Sequence, residues 1–337
     1  MQKIGKRHQQ PPLDWLAELR SRDQLLSWTE QGLLTPAQLA RALAPEHPAP
    51  TDRHWRAALD RLLAYYGSLL LVLGVIFFFA FNWDELHRLH KLALALVALT
   101  GFAGAAVVLQ SGSALYRASL FGAALTTGGV LALVGQIYQT GADIWQLFAG
   151  WAALMLPWAL ISRSAACWAL FWVVLHVALL RYFALHPGGP TSAQGLTALA
   201  VADLALLLVF EGAGHRLCTE LSRVLPRLAG FGLLSALTLG GCISWWQEGY
   251  LALLIALALV YLVGITVYLR WRRDALMLAL LLYSLIGVTA SGLGRLLDTG
   301  VNADSFMLLN VLGLFVLLTS AAASLWLHRL HRGAQHE

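Results

Sequence analysis

Charged residues are scarce in this sequence and unevenly distributed. They form 12% of the 337 residues, about half the share of a soluble globular domain, whereas hydrophobic residues form 58%. Of the 41 charged residues, 16 lie within residues 1–61 and 25 are spread over residues 62–337. This composition excludes an ordinary water-soluble enzyme, and it excludes intrinsic disorder, which requires low hydrophobicity. It predicts a polytopic membrane protein with a soluble N-terminal segment.

Cysteines are few, and the catalytic motifs of common enzyme classes are missing. Cys167, Cys218 and Cys242 are widely scattered, without the paired spacing of a disulfide framework or a zinc site. The sequence contains no phosphate-binding loop, zinc-protease motif or hydrolase nucleophile elbow. We therefore expect no catalytic residues, no metal and no cofactor, and a protein that is not an enzyme. The net charge of +5 does not indicate nucleic acid, because excess Arg and Lys in a membrane protein report its orientation.

The N-terminal segment predicts a small cytosolic helical hairpin at residues 13–44. Its second helix has the start signal Thr35-Pro36-Ala37-Gln38, with a capping threonine and a proline at the first helical position. A proline-rich linker follows, so the predicted domains are residues 1–61 and 62–337. The hairpin is too small to bury a core alone, so we expect it to pack on the membrane domain or on a protein partner. A DNA-binding helix-turn-helix is disfavoured because no basic recognition helix is present.

The remaining chain predicts an all-α bundle of ten membrane spans, each of about 20 apolar residues. The predicted spans are 62–82, 91–110, 118–138, 144–161, 165–183, 196–213, 226–246, 249–269, 274–293 and 306–327. With the N-terminus inside, 19 of the 23 Lys and Arg residues fall on the inner side and 4 on the outer side. This positive-inside bias predicts that both termini, including a short basic C-terminal tail, are cytosolic.

Polar residues cluster where odd-numbered spans reach the predicted outer side. One cluster ends the first span, and the other ends the third span and leads into the fourth. Two interpretations stand: an outward-facing polar site framed by aromatic residues, or an interfacial aromatic belt with residues that cap helices. The residues of the predicted site are Asn82, Trp83, Asp84, Gln136, Tyr138, Gln139, Asp143 and Trp145. A third group, residues 245–248, ends the seventh span on the same side.

Two ionisable residues stand out within the predicted spans. His176 and Asp203 lie at equal depth on consecutive antiparallel helices, about 11 Å below the outer surface at 1.5 Å per residue. Equal depth permits contact between the two side chains. The pair is then either a proton relay, a role typical of ionisable groups within membranes, or a structural hydrogen bond between two helices.

Three motifs carry a resemblance to a known family. They are the turn at Gly32–Gln38, the segment FFFAFNW at residues 77–83, and the segment GQIYQTGAD at residues 135–143 followed by Trp145. In this order they resemble the bacterial membrane family catalogued as domain of unknown function 2157, over about residues 13–180. The resemblance implies a multispanning bacterial inner-membrane protein, and it implies no established activity.

Two functions follow from these features. The first is transport of a small molecule or envelope precursor, which the number of spans, the outer polar clusters and His176 with Asp203 favour. The second is a non-transporting scaffold or accessory subunit of an envelope complex, whose protein partner binds residues 13–44 or the outer face. The separate N-terminal segment and the absence of charged residues from most spans favour this function. The expected surroundings are the bacterial inner membrane and its lipid bilayer.

Overall fold

A computed structural model of the chain describes residues 52–81, 85–139, 141–218, 223–272, 274–300 and 305–334. Within them every regular element is a helix, and ten helices are long and apolar enough to cross a membrane. They are α1 (Asp52–Phe81), α2 (Arg88–Val108), α3 (Ala114–Tyr138), α4 (Ile144–Ser162), α5 (Ala165–Ala184), α6 (Ala193–Leu217), α7 (Val224–Ser244), α8 (Leu251–Arg270), α9 (Ala275–Gly300) and α10 (Ser305–Ala334). The predicted all-α, ten-span fold is confirmed. The hairpin predicted at residues 13–44 lies outside the described residues.

The two spans with the weakest sequence signal are complete helices. The fourth span is α4, which has 19 residues and contains Pro157. The sixth span is α6, which has 25 residues and includes Asp203. Helices continue beyond the apolar segment into flanking polar residues. Helix α1 therefore begins ten residues before its predicted start, within the predicted N-terminal domain, and α6, α9 and α10 end four to seven residues after their predicted limits.

Serine side chains mark the starts of three helices. Ser113, Ser164 and Ser192 precede α3, α5 and α6, and each hydroxyl accepts the backbone N–H three residues later, at 3.1, 3.3 and 3.1 Å. At the start of α4 the Gln146 side chain accepts the Asp143 backbone N–H at 3.1 Å. These bonds satisfy N–H groups that a helix leaves without intrahelical partners, so polar residues between the spans set where the helices begin.

The compact unit of residues 61–337 has two central helices. Helix α3 packs against α2 and α4, and α7 packs against α6, α8 and α9. Half of the most apolar segment of α3 and of α7 is buried, whereas none of that segment is buried in α10, which packs against α9. Helix α5 contacts α3, α6 and α7, so it joins the two groups of helices.

Close packing between α3 and α4 depends on small and hydroxyl residues of α3. The indole N–H of Trp158 donates to the Thr127 hydroxyl at 3.1 Å, and that of Trp151 donates to the Ala124 carbonyl at 2.8 Å. Gly128 lies directly against the Trp151 ring. Small residues of this kind let membrane helices approach closely.

We expect Gly128→Ala to destabilise the protein by about 1–3 kcal/mol, the usual range for overfilling a packed interior. The added methyl group would overlap the Trp151 ring, which is fixed by its own hydrogen bond. The matched control is Gly129→Ala, where the methyl group meets no atom within 4 Å. Thermal unfolding in detergent should show a lower melting temperature for Gly128→Ala than for the wild type, and no decrease for Gly129→Ala. Equal melting temperatures for the two variants would contradict the packing argument.

Candidate functional site: a buried histidine–aspartate pair, a pocket between two helices and a charged network

His176 and Asp203 meet at the junction of α5, α6 and α7. The His176 Nε2 atom lies 2.9 Å from Asp203 Oδ2. The Asp203 side chain is 1% exposed and that of His176 is 14% exposed. The predicted contact between these two residues, hereafter the His–Asp pair, is confirmed. Its role as a proton relay remains a prediction.

Trp172 completes the surroundings of the carboxylate. Its indole N–H donates to Asp203 Oδ1 at 2.7 Å, so both carboxylate oxygens have partners on α5. The Trp172 carbonyl oxygen lies 2.8 Å from His176 Nδ1, one helical turn away. The two rings are also close, with centroids 4.0 Å apart. Sequence reasoning missed Trp172, although a tryptophan inside a span, whose N–H needs an acceptor, was an available signal.

Helix α7 covers the carboxylate from the third side. Gly232 is so close to Asp203 that a methyl group at this glycine would overlap both carboxylate oxygens. A glycine is therefore required where α7 crosses α6. Because Gly232 has no side chain, the α7 backbone itself lies against the carboxylate and shields it from solvent. Asp203 is therefore buried with two polar side-chain partners, Trp172 and His176.

The segment between α3 and α4 lines an open pocket of about 560 Å³. Its polar side chains are those of Gln136, Gln139, Asp143 and Gln146, and its remaining walls are mostly apolar residues of the two helices. Gln139 adopts the left-handed conformation that ends α3, with φ 43°. Three residues of the predicted outer site thus line one pocket. Gln146 also holds the start of α4, so the interpretation as capping residues applies to part of this group.

Two other residues of the predicted outer site, Tyr138 and Trp145, lie outside this pocket. Tyr138 is 57% exposed, and Trp145 packs edge-on against Tyr182 of α5, with ring centroids 5.1 Å apart. Neither is among the residues that line the pocket. Asn82, Trp83 and Asp84 are outside the described residues.

The aromatic group that ends α7 packs against α9. Trp245 contacts Gly292, and the Trp246 indole N–H donates to the Ser291 hydroxyl at 3.1 Å. The Arg295 guanidinium lies 5.4 Å from the Trp246 ring centroid. These contacts favour a role in helix packing for both tryptophans.

A charged network that sequence reasoning missed joins α6, α7, α8 and the start of α9. Arg223 donates through Nε to Asp274 at 2.7 Å, and its Nη2 pairs with Glu211. Arg227 donates two hydrogen bonds to the Asp274 carboxylate, at 3.1 and 3.2 Å. On α8, the Tyr268 hydroxyl donates to Glu211 at 3.1 Å. We refer to these five residues as the Asp274 network.

Asp274 is the centre of this network, and its side chain has no exposed surface. Burial acts to raise the pKa of this carboxyl, but hydrogen bonds from Arg227, Arg223 and the Met277 backbone N–H outweigh that effect and hold the pKa below its usual value. The carboxylate also accepts the Leu276 backbone N–H at 3.1 Å and so caps α9. The buried Asp274 carboxylate therefore accepts hydrogen bonds both from two guanidinium groups and from the first turn of α9.

Metal ligands do not gather in the part of the chain that the structure describes. No group of three or more His, Cys, Asp or Glu side chains there could hold a metal ion. Cys167, Cys218 and Cys242 form no disulfide with one another, and the first two are buried.

Comparison with known proteins gives a match between part of the chain and one family, and it indicates no activity. Residues 26–168 match the family described as "Predicted membrane protein (DUF2157)", so the resemblance seen in the sequence motifs is confirmed over these residues. No curated protein and no solved structure matches the chain. The matched segment includes the pocket between α3 and α4 and ends before His176.

Proposed function

We propose that this protein is a transporter of the bacterial inner membrane, with both termini in the cytosol. The proposed cargo is a small polar molecule or envelope precursor that binds from the outer side. The proposed coupling ion is a proton held by His176 and Asp203. The proposal includes no enzymatic step, no cofactor and no metal.

The observation that carries this proposal is the enclosed carboxylate at the junction of the two helix groups. An unpaired Asp at the centre of a membrane helix costs about 2.5–3.5 kcal/mol on insertion scales, and such residues commonly mark ion or proton pathways. In many secondary transporters the coupling-ion site lies between two halves of the bundle. The His–Asp pair has this position, since α5 joins the group around α3 to the group around α7.

The pocket between α3 and α4 supports an outer binding site. Its volume of about 560 Å³ falls within the usual range for small-molecule sites. Gln136 and Gln139 carry amides, which donate and accept hydrogen bonds, and Asp143 carries a carboxylate that accepts them. Such a lining suits a solute rich in hydroxyl or amine groups.

We expect Asp203→Asn to abolish proton-coupled transport while abundance and folding stay nearly unchanged. The amide retains hydrogen-bonding capacity but cannot release a proton. The measurement uses purified protein in liposomes that enclose a pH-sensitive dye, to which a panel of sugars, polyols and amino acids is added. The wild type should change the internal pH with at least one solute, and Asp203→Asn should not.

The matched control for this assay is Asp298→Asn, because Asp298 is an exposed carboxylate of α9. This variant should keep the wild-type response. If no solute gives a response that depends on Asp203, while the protein is folded and correctly inserted, the transport proposal is wrong. That outcome favours the alternative, a non-transporting scaffold of an envelope complex.

A further inference from the structure

The hydrogen bonds of His176 determine where its protons are. A backbone carbonyl only accepts hydrogen bonds, so the 2.8 Å contact between His176 Nδ1 and the Trp172 carbonyl requires a proton on Nδ1. The other ring nitrogen, Nε2, faces Asp203 Oδ2 at 2.9 Å. In a neutral imidazole with a proton on Nδ1, Nε2 is an acceptor, and an ionised carboxylate oxygen is an acceptor as well.

This contact therefore contains one additional proton. With the proton on Nε2 the pair is an imidazolium and a carboxylate, and with the proton on Oδ2 it is a neutral imidazole and a carboxylic acid. Both forms have the same number of protons and a net charge of zero. Without that proton, two lone pairs would face each other at 2.9 Å and the pair would carry one negative charge.

We infer that the His–Asp pair, positioned by Trp172, stores one proton that enters and leaves only at the contact between His176 Nε2 and Asp203 Oδ2. We call it a terminal store because the proton cannot pass on through Nδ1. That this proton drives transport rests on the proposed function. That the pair stores one proton rests on the hydrogen bonds alone. Trp172 positions both partners: its carbonyl fixes the proton on Nδ1, and its indole N–H holds Oδ1 so that Oδ2 faces the ring.

A through relay is incompatible with this arrangement. An imidazole that passes protons across a membrane takes one up at one nitrogen and releases one at the other. His176 Nδ1 faces a carbonyl of its own helix, which cannot carry a proton onward. Transfer of the stored proton to the opposite side therefore requires movement of α5 relative to α6 and α7.

Proton release favours such a movement. It sends one proton to water or solute and leaves one negative charge, and the remaining hydrogen-bond donor to the carboxylate, the Trp172 indole N–H, is neutral. On α5, α6 and α7 the titratable residues nearest in sequence to His176, Asp203 and Gly232 lie at least five positions away, about 7 Å along a helix axis. They are Cys167 and Arg181 of α5, Glu211 of α6, and Arg227 and Cys242 of α7, and the adjoining helix α3 carries Arg117 and Tyr138. The unloaded pair has lost its mutual hydrogen bond, so the contact between α5 and α6 weakens.

Nitrogen NMR of the purified protein with ¹⁵N-labelled histidine tests the proton count directly. The His176 signals are identified by their loss in His176→Gln. We expect Nδ1 to carry a proton whether or not the Nε2–Oδ2 contact holds its additional proton, so that the two forms of the pair differ by one proton. A His176 tautomer with a bare Nδ1, or release of two protons, would overturn the inference.

Trp172→Phe tests the positioning role, because it removes the indole N–H and keeps the backbone carbonyl. Loss of this donor leaves Oδ1 without its hydrogen bond. We expect the infrared band of the Asp203 carboxyl group to shift in frequency, while the Nδ1–H signal remains. The matched control is Trp168→Phe, one turn earlier, whose indole N–H donates to the Leu217 carbonyl at 3.1 Å and not to the pair. An equal change in both variants would contradict the positioning role.

Proton flux separates a store from a relay without any solute. In liposomes under an imposed membrane potential, the protein should conduct no protons above empty liposomes. Conduction that His176→Gln abolishes would overturn the terminal store. If the solute panel gives no response while the NMR and infrared results are as expected, the proposed transport fails and the single-proton store stands.

Discussion

Replacement of Asp274 by alanine is expected to lower the free energy of unfolding by about 3 kcal/mol. Removing one member of a buried ion pair typically costs 3–5 kcal/mol, because the remaining charge has no partner. The lower end applies here, since Arg223 and Arg227 are 28% and 38% exposed and water reaches them in part. The variant also loses the hydrogen bonds with which Asp274 caps α9.

Unfolding in detergent measures this effect, and Asp298→Ala is its matched control. Asp298 also lies on α9, but it is 58% exposed and its Arg295 partner is 3.8 Å away. Surface pairs of this kind contribute about 0–1 kcal/mol. A loss of stability at position 298 as large as that at position 274 would contradict the assignment of Asp274 as the centre of the network.

The same network predicts loss of stability in acid. The pKa of Asp274 is lower in the folded protein than in the unfolded chain, so its ionised form adds stability that is present above about pH 4, the ordinary range for Asp. That stability is lost as the pH falls through the lowered pKa of the folded state. In Asp274→Asn, the free energy of unfolding should therefore differ less between neutral and acidic pH than it does in the wild type. If the pH dependence of this free energy is unchanged in the variant, other carboxyl groups cause the loss of stability in acid.

The number of the helices and the apolar segment of each were predictable from sequence because they depend on local composition. A span must be about 20 apolar residues long, and the segments that meet this rule are few and separated by polar turns. Even α6 remains a clear span with Asp203 inside it, because a single carboxylate does not remove the hydropathy of 25 residues. The depth of His176 and Asp203 followed from counting residues along two consecutive helices.

Contacts between distant residues were not predictable in the same way. Arg223, Arg227 and Asp274 looked like ordinary charges at or beside the ends of spans, because nothing in the sequence states that residues about 50 positions apart share one buried carboxylate. Gly232 looked like one of many glycines, and its role depends on how α7 crosses α6. These features arise from helix packing, so only the three-dimensional structure reveals them.

The His–Asp pair predicts an unequal effect of two apolar replacements. His176→Leu leaves the Asp203 carboxylate with Trp172 alone, so we expect a loss approaching the 2.5–3.5 kcal/mol of an unpaired Asp in a membrane span. Asp203→Leu leaves two neutral groups unpaired, the Trp172 indole N–H without an acceptor and His176 Nε2 without a donor. We expect a smaller loss of about 1–2 kcal/mol, the range for hydrogen bonds between membrane helices. Thermal unfolding in detergent compares the two.

The double variant His176→Leu with Asp203→Leu separates stability from function. It removes the carboxylate and the imidazole together, so its stability should exceed that of His176→Leu and fall near that of Asp203→Leu. Leucine has the same branching as aspartate at Cγ, so it introduces little extra bulk beside Gly232. If the pair carries a proton, the double variant should fold and still give no pH response in liposomes. The loss of stability in the double variant could instead equal the sum of the losses in the two single variants. That result would show that Asp203 carries no charge in His176→Leu, because its carboxylate has taken up a proton.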